Sequence, residues 1–358
     1  MVFEAEDLSS EVPRKEAAQL LKEKFKRAVE LRNHVDDSGS FTELVEALQG
    51  ILPKELPRAA VKELLPLDDA VNKATAIDRM KAELDTLHNV QHSSLVKLLD
   101  ADAKGRWFAM EYFPRGSMSK FPEMFKGRAL AALKAFRPIV GAVAEIHKSK
   151  VVHRDIKPEN IFIGNDERLV LGDCGLAIKL DNVERLTTTY ENVGSRDWMP
   201  GWAMGMLLQE VEPNFDVFSL GKLLWSMVSG RSRLQLWYYK KQQFDLERMF
   251  ENGDMFVINN ILSFSVVEEP EQCLRDAGEL LVKVDEAIAA LEARAQRPSM
   301  KREMWCRFCG LGRYSKAMGD LRGNRDSDLG VYVCENCGHV ESFFWPAGKL
   351  PKGWETSN

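Results

Sequence analysis

Between Val151 and Gly175 the chain reads VVHRDIKPENIFIGNDERLVLGDCG, and no other stretch constrains it as much. Asp155, Lys157 and Asn160 fall in one loop, and the apolar triplets Ile161 to Ile163 and Leu169 to Leu171 flank the turn GNDER. Strand, turn and strand in that order predict a hairpin, which returns the chain so that Asp173 comes back beside the first three residues. Phosphoryl transfer gathers negative charge and depends on positioning its nucleophile. It therefore needs a carboxylate for the hydroxyl, a cation for the γ-phosphate and oxygen ligands for Mg²⁺. Asn160 and Asp173 are hard oxygen donors of the kind Mg²⁺ takes.

The surroundings are those of a globular chain. Its 358 residues are 45% hydrophobic and 29% charged, with 49 Lys+Arg against 54 Asp+Glu and a formal net charge of −5. That length allows about two domains, and the composition excludes a wholly disordered chain. The most apolar stretch, Ala129 to Ile146, is interrupted by Lys134 and Arg137, so no window offers the roughly 18 uncharged residues of a membrane span. MVFEAEDLSS lacks a basic region followed by an apolar run. The expectation is a soluble, cytoplasmic protein with no membrane contact.

Apolar spacing predicts an amphipathic helix over residues 14–34 and a short helix over 41–48, followed by a loop with Pro53 and Pro57. RAAVKEL, residues 58–64, reads as a strand. Ile77, Met80, Leu84 and Leu87 recur at helical spacing, and LVKLLD (95–100) and RWFAMEYF (106–113) read as antiparallel neighbours. Beyond Pro114 the pattern is mainly helical, with strong signals over 216–229 and 277–291, and ARAQRPSMKR reads as a linker. The expected architecture is α+β and two-lobed. It comprises a helical extension (1–50), a body (51–293, with a small lobe 51–113 and a large lobe 114–293), a linker (294–303) and a C-terminal module (304–358).

On HRDIKPEN, DCG, AAVKE and RMKAELDTL, the body resembles the eukaryotic-like (Hanks-type) Ser/Thr protein kinase family over residues 59–291. The resemblance implies an enzyme that transfers the γ-phosphate of ATP to a Ser or Thr hydroxyl of a protein substrate. Asp155 would then orient the hydroxyl, Lys157 would meet the γ-phosphate, and Asn160 and Asp173 would carry Mg²⁺. Lys62 would bind the α- and β-phosphates and pair with Glu83. FAMEYFPRGSM resembles the segment joining the lobes, with Met110 as gatekeeper, the backbone of Glu111 and Phe113 at the adenine edge, Ala60 above the ring and Phe162 below it. Asp216 would anchor the catalytic loop. Arg154 would meet a phosphate on Thr187, Thr188, Thr189 or Tyr190 of the activation segment, which ends near GSRDWMP.

The chain departs from that pattern in three places. No GxGxxG precedes Lys62, which implies either another cover over the nucleotide or weak ATP binding. The usual DFG is Asp173, Cys174, Gly175, with a smaller side chain where the family has an aromatic. MPGWAMG lacks the glutamate of the family's APE-like triplet, and Cys273 stands about where the family has its partner arginine. Losing both members of a buried ion pair costs far less than losing one, so the paired absence fits an intact fold. A pseudokinase scaffold that binds protein partners is the alternative reading.

Cys306 and Cys309 in WCRFCG and Cys334 and Cys337 in VCENCG form two CxxC pairs, each followed by glycine. Four thiolates at this spacing predict a closed tetrahedral Zn²⁺ site of structural type, and the segment resembles a zinc ribbon. His339 is expected to be a surface residue rather than a ligand. Counted from Lys301, basic and acidic residues balance once thiolates and Zn²⁺ are included, so protein docking is expected and nucleic acid is not.

Overall fold

The structure is a computed structural model. It describes residues 2–6, 58–64, 70–102, 105–180, 197–203, 210–250, 254–296, 306, 314–316, 321–322, 327–335 and 339–346. The chain divides into two compact units, one of residues 1–80 and 97–112 and one of residues 81–96 and 113–358.

The first unit holds a four-stranded antiparallel sheet of β1 (Val2–Glu6), β2 (Arg58–Glu63), β3 (Leu98–Ala101) and β4 (Trp107–Glu111), in the order β1-β2-β4-β3. Ala60 lies opposite Met110 and Lys62 opposite Phe108. Directly opposed residues share a face, so Ala60, Lys62, Phe108 and Met110 stand together. Phe108 is fully buried there. β1 falls within the segment expected to be helical; it pairs with β2, placing Val2 opposite Lys62 and Glu4 opposite Ala60. The alternation Phe3, Glu4, Ala5, Glu6 has a strand's period of two, and at that length it is easily overlooked. The helices expected over 14–34 and 41–48 lie outside the described residues. Strand β3 begins later than LVKLLD suggests, because Leu95 bridges to Leu171 and the Val96 amide donates to the Leu171 carbonyl at 2.8 Å.

Helix α1 (Ala70–Asn89) enters the second unit with Met80, Glu83 and Leu87 buried. In α2 (Ala129–Lys148), Leu133, Phe136, Ile139, Val140, Val143 and Ile146 recur every three or four residues, and all are fully buried. The chain then forms β5 (Val151–Val152), β6 (Ile161–Ile163), β7 (Leu169–Leu171) and β8 (Ile178–Lys179); β6 pairs with β7 and β5 with β8. The hairpin expected around GNDER is therefore present, with Glu167 at φ 64 in its turn.

Helix α3 (Asn214–Ser229) is buried from Phe215 onward, and Gly230 ends it at φ 71, the left-handed conformation a helix C-terminus favours. α4 (Leu246–Met249), α5 (Met255–Leu262) and α6 (Ala277–Gln296) follow. α6 runs past the expected linker start at 294, since Ala, Arg and Gln all favour helix. On its surface Asp285 accepts two hydrogen bonds from Arg137 of α2, at 2.5 and 3.0 Å. The C-terminal strands β9 (Tyr314–Lys316), β10 (Leu321–Arg322), β11 (Ser327–Cys334) and β12 (Val340–Pro346) form one antiparallel sheet around β11. No helix among the described residues is long and apolar enough to cross a membrane.

Candidate active site

The loop between β5 and β6 is held from below by Asp216, the buried acid in the first turn of α3. Its Oδ2 accepts from the His153 amide at 2.7 Å and its Oδ1 from the Arg154 amide at 2.8 Å. His147, at the end of α2, adds a third contact, with Nε2 3.0 Å from Oδ2. The other ring nitrogen of His147 accepts from the Ala277 amide at 3.1 Å, so this side chain joins α2, α3 and the start of α6. Burial alone would raise the Asp216 carboxyl. The hydrogen bonds from His147 and the Arg154 backbone outweigh it and hold the group below the usual carboxylate range.

On that support the loop turns through Arg154 at φ 70 and presents Asp155, which is 7% exposed. Lys157 Nζ donates to Asp155 Oδ1 at 2.8 Å and to Oδ2 at 2.7 Å. Asn160 Nδ2 donates to the Asp155 carbonyl and to Oδ2, both at 2.8 Å. With its amide nitrogen committed to Asp155, Asn160 has Oδ1 as the atom able to face a cation. The Asn160 carbonyl accepts from the Gly172 amide at 2.9 Å, which brings the start of the next loop alongside. Asp173 follows at φ 55, a left-handed conformation that costs a non-glycine residue about 1 kcal/mol or more and tends to occur at functional sites. Two oxygen donors joined in this way fit Mg²⁺, which takes few protein ligands and keeps its waters. The hairpin thus brings together the four residues singled out in the sequence.

Phe162 and Phe113 stack with ring centroids 5.4 Å apart and planes 6° from parallel. A Cβ on Gly172 would lie 2.5 Å from Phe162 Cε2, so glycine is required where this ring crosses the backbone. Cys174 is fully buried, and its carbonyl accepts from the Ala177 amide at 2.9 Å. In the first unit, Lys62 Nζ stands 6.0 Å from the Phe108 ring centroid, on the face that carries Ala60 and Met110. The Glu111 amide donates to the Lys97 carbonyl at 3.0 Å. Glu83 belongs to the second unit and is 1% exposed; a carboxylate so deeply buried requires a partner.

α3 also fastens the segment ahead of it. Ser219 Oγ donates to the Trp198 carbonyl at 3.0 Å, and Lys222 Nζ donates to the Asp197 carbonyl at 2.6 Å. Burial pushes the Lys222 ammonium down to about 8. Neither His147 nor Lys222 stands out in the sequence: each looks like an ordinary polar residue on a helix, and only the packing of helices around it gives it a role. Thr187, Thr188, Thr189 and Tyr190 lie outside the described residues. So do Cys309 and Cys337, while Cys306 and Cys334 are both buried. Among the described residues no group of three or more His, Cys, Asp and Glu side chains is placed to hold a metal ion.

A loop carboxylate gripped by a lysine and an asparagine, above a buried helix acid, defines a phosphotransferase-like class of site. The protein kinase domain family model matches residues 39–298, and the chain belongs to that family. It is similar to a probable serine/threonine-protein kinase of Dictyostelium discoideum, with 27% identity over 197 residues covering 54% of this chain and 37% of the relative. A probable serine/threonine-protein kinase of Clostridium acetobutylicum is 30% identical over 157 residues, covering 43% and 23%. Aurora/IPL1-related protein kinase 2 of Caenorhabditis elegans is 30% identical over 149 residues, covering 37% and 48%. In each case the match spans less than half of the relative's own length.

Proposed function

We propose that the chain is a Ser/Thr protein kinase that uses ATP and Mg²⁺ to phosphorylate a hydroxyl of a protein substrate. The observation that carries this reading is the Asp155 carboxylate, fixed by Lys157 and Asn160 on a loop anchored to Asp216. Asp155 orients the acceptor hydroxyl and receives its proton as the oxygen bonds to the γ-phosphorus and the bond from that phosphorus to the bridging oxygen of ADP breaks, so that ADP leaves. Lys157 turns from Asp155 toward the γ-phosphate, where negative charge builds up. Asn160 and Asp173 would hold Mg²⁺, which would supply positive charge to neutralise the phosphates. Lys62, on β2 of the first unit, takes the α- and β-phosphates. Ala60, Met110 and the backbone of Glu111, all on the sheet of the first unit, receive adenine.

Incubation with ATP, Mg²⁺ and casein, followed by mass spectrometry, tests the reading: phosphoserine or phosphothreonine on casein or on the protein itself is the expected product. Nucleotide binding without any transfer would favour the scaffold instead. Two observations support that second reading: β1, the neighbour of the Lys62 strand, contains no glycine, and Cys174 is too small to fill an aromatic's place.

The C-terminal module, residues 304–358, is proposed to bind one structural Zn²⁺ through Cys306, Cys309, Cys334 and Cys337 and to dock protein. Two CxxC pairs in a segment with little core of its own support it.

A further inference from the structure

The second unit contains a cavity of about 380 Å³ that the catalytic loop does not use. Its floor is apolar, with Val211, Phe215 and Cys273 buried and Trp202 half-buried beside them. The floor cannot shift easily, because Trp202 meets Phe218 of α3 edge-on at 5.2 Å and Val211 and Phe215 belong to a core cluster with Val152 and Met199. The Cys273 thiol contacts the Asn214 and Ser265 carbonyls at 3.6 and 3.7 Å, and burial pushes it up to about 12, so it contributes no charge.

The rim is different in kind. Glu210, Glu212 and Glu271 line it, and all three are exposed. Among the described residues of the lining the one cation, Arg275, is directed to Glu279, which accepts from its Nε at 2.6 Å and from its amide at 2.9 Å. The mouth of the cavity is therefore acidic above an apolar base.

A ligand complementary to this arrangement has its apolar part innermost and its positive charge at the mouth. A free alkylguanidinium inserted end-on would place its charge on the apolar floor and is disfavoured. The size lies near the lower end of ligand pockets, about 300 Å³, enough for one large side chain. We infer that the cavity is a docking socket for a basic peptide segment, with a bulky apolar side chain seated on Phe215 and Trp202 and flanking Arg or Lys residues meeting Glu212 and Glu271. Buried apolar anchors inside a charged rim are the usual division of labour at such contacts. The inference does not rest on phosphotransfer, since none of these residues belongs to the catalytic loop.

The probe is the peptide acetyl-Lys-Arg-Phe-Arg-Lys-amide, titrated by calorimetry into the full chain at low salt. Saturable binding is expected below about 1 mM. Replacing the peptide's Phe by Ala should weaken it about tenfold through loss of the anchor. Glu212→Gln/Glu271→Gln should weaken it about fivefold, and both residues are exposed, so this variant should fold. Glu123→Gln/Asp166→Asn, which removes two exposed acids elsewhere, should leave it unchanged. No binding, equal binding of the Ala peptide, or equal weakening by the control variant would each overturn the socket.

Discussion

Lys157 closes on Asp155 with two hydrogen bonds, 2.8 Å to Oδ1 and 2.7 Å to Oδ2. Asn160 adds a third donor to the same carboxylate at 2.8 Å. An incoming γ-phosphate offers Lys157 a second anion, and its departure would free Asp155 Oδ1 for the acceptor hydroxyl. Replacing Lys157 by Ala should lower the transfer rate about 100-fold, the cost of removing one donor aimed at developing charge. The melting temperature should stay near wild type, because Asn160 still satisfies Asp155. Rate measurements at saturating ATP with unchanged turnover would contradict the role given to Lys157.

The three contacts to Asp216 make it the support of the whole loop. Asp216→Ala leaves the His153 and Arg154 amides buried without acceptors and should cost about 2 kcal/mol or more of stability. The pH dependence follows from the depressed carboxyl of the folded state. Stability from this group is fully present above the ordinary carboxyl value of about 3.9 and is lost as pH falls below it. Urea unfolding between about pH 3 and pH 6 should show a steeper acid loss in wild type than in Asp216→Asn. Equal slopes would remove Asp216 as the source.

Lys222 acts in the opposite sense. Its folded-state value is near 8 because it is buried, whereas the unfolded chain keeps that proton until about 10.4. Between those values the unfolded state binds more protons, so stability rises with pH. Wild type should gain stability from about pH 8 to pH 10 relative to Lys222→Met, and the variant should be at least as stable at pH 7. The Asp197 carbonyl that loses its donor belongs to an exposed residue and can turn to water. Parallel pH profiles for the two proteins would contradict this assignment.

The C-terminal module should copurify with about one equivalent of zinc per chain. Cys309→Ser or Cys337→Ser should lower that ratio and selectively weaken amide protection in β11 and β12, because metal binding supplies folding energy in a segment this small. Elemental analysis showing no zinc after purification without chelators would end the proposal.

The geometry of the loop proposed to be catalytic was legible because it is local. Asp155, Lys157 and Asn160 share one loop, and a hairpin visible as two apolar triplets brings in Asp173. The helices were legible for a related reason: α2 and α3 carry long runs of apolar residues at one spacing. What the sequence did not disclose depends on residues far apart meeting. His147 gains its role only when α6 begins beside it, Lys222 only when residue 197 passes over α3, and the cavity only because residues 202–203, 210–215 and 270–275 meet to line it. β1 was hidden by its brevity, since five residues offer at most two or three alternations to detect.

The role proposed for Asp155 is to orient a hydroxyl for phosphoryl transfer. Its most direct test is transfer of label from γ-³²P-ATP with Mg²⁺ to casein, with wild type compared against Asp155→Asn, which keeps the side chain's shape and removes its charge. A loss of about 100-fold or more in the variant, with ATP affinity retained, is the predicted result. Equal transfer by both proteins, or none by wild type, would contradict it.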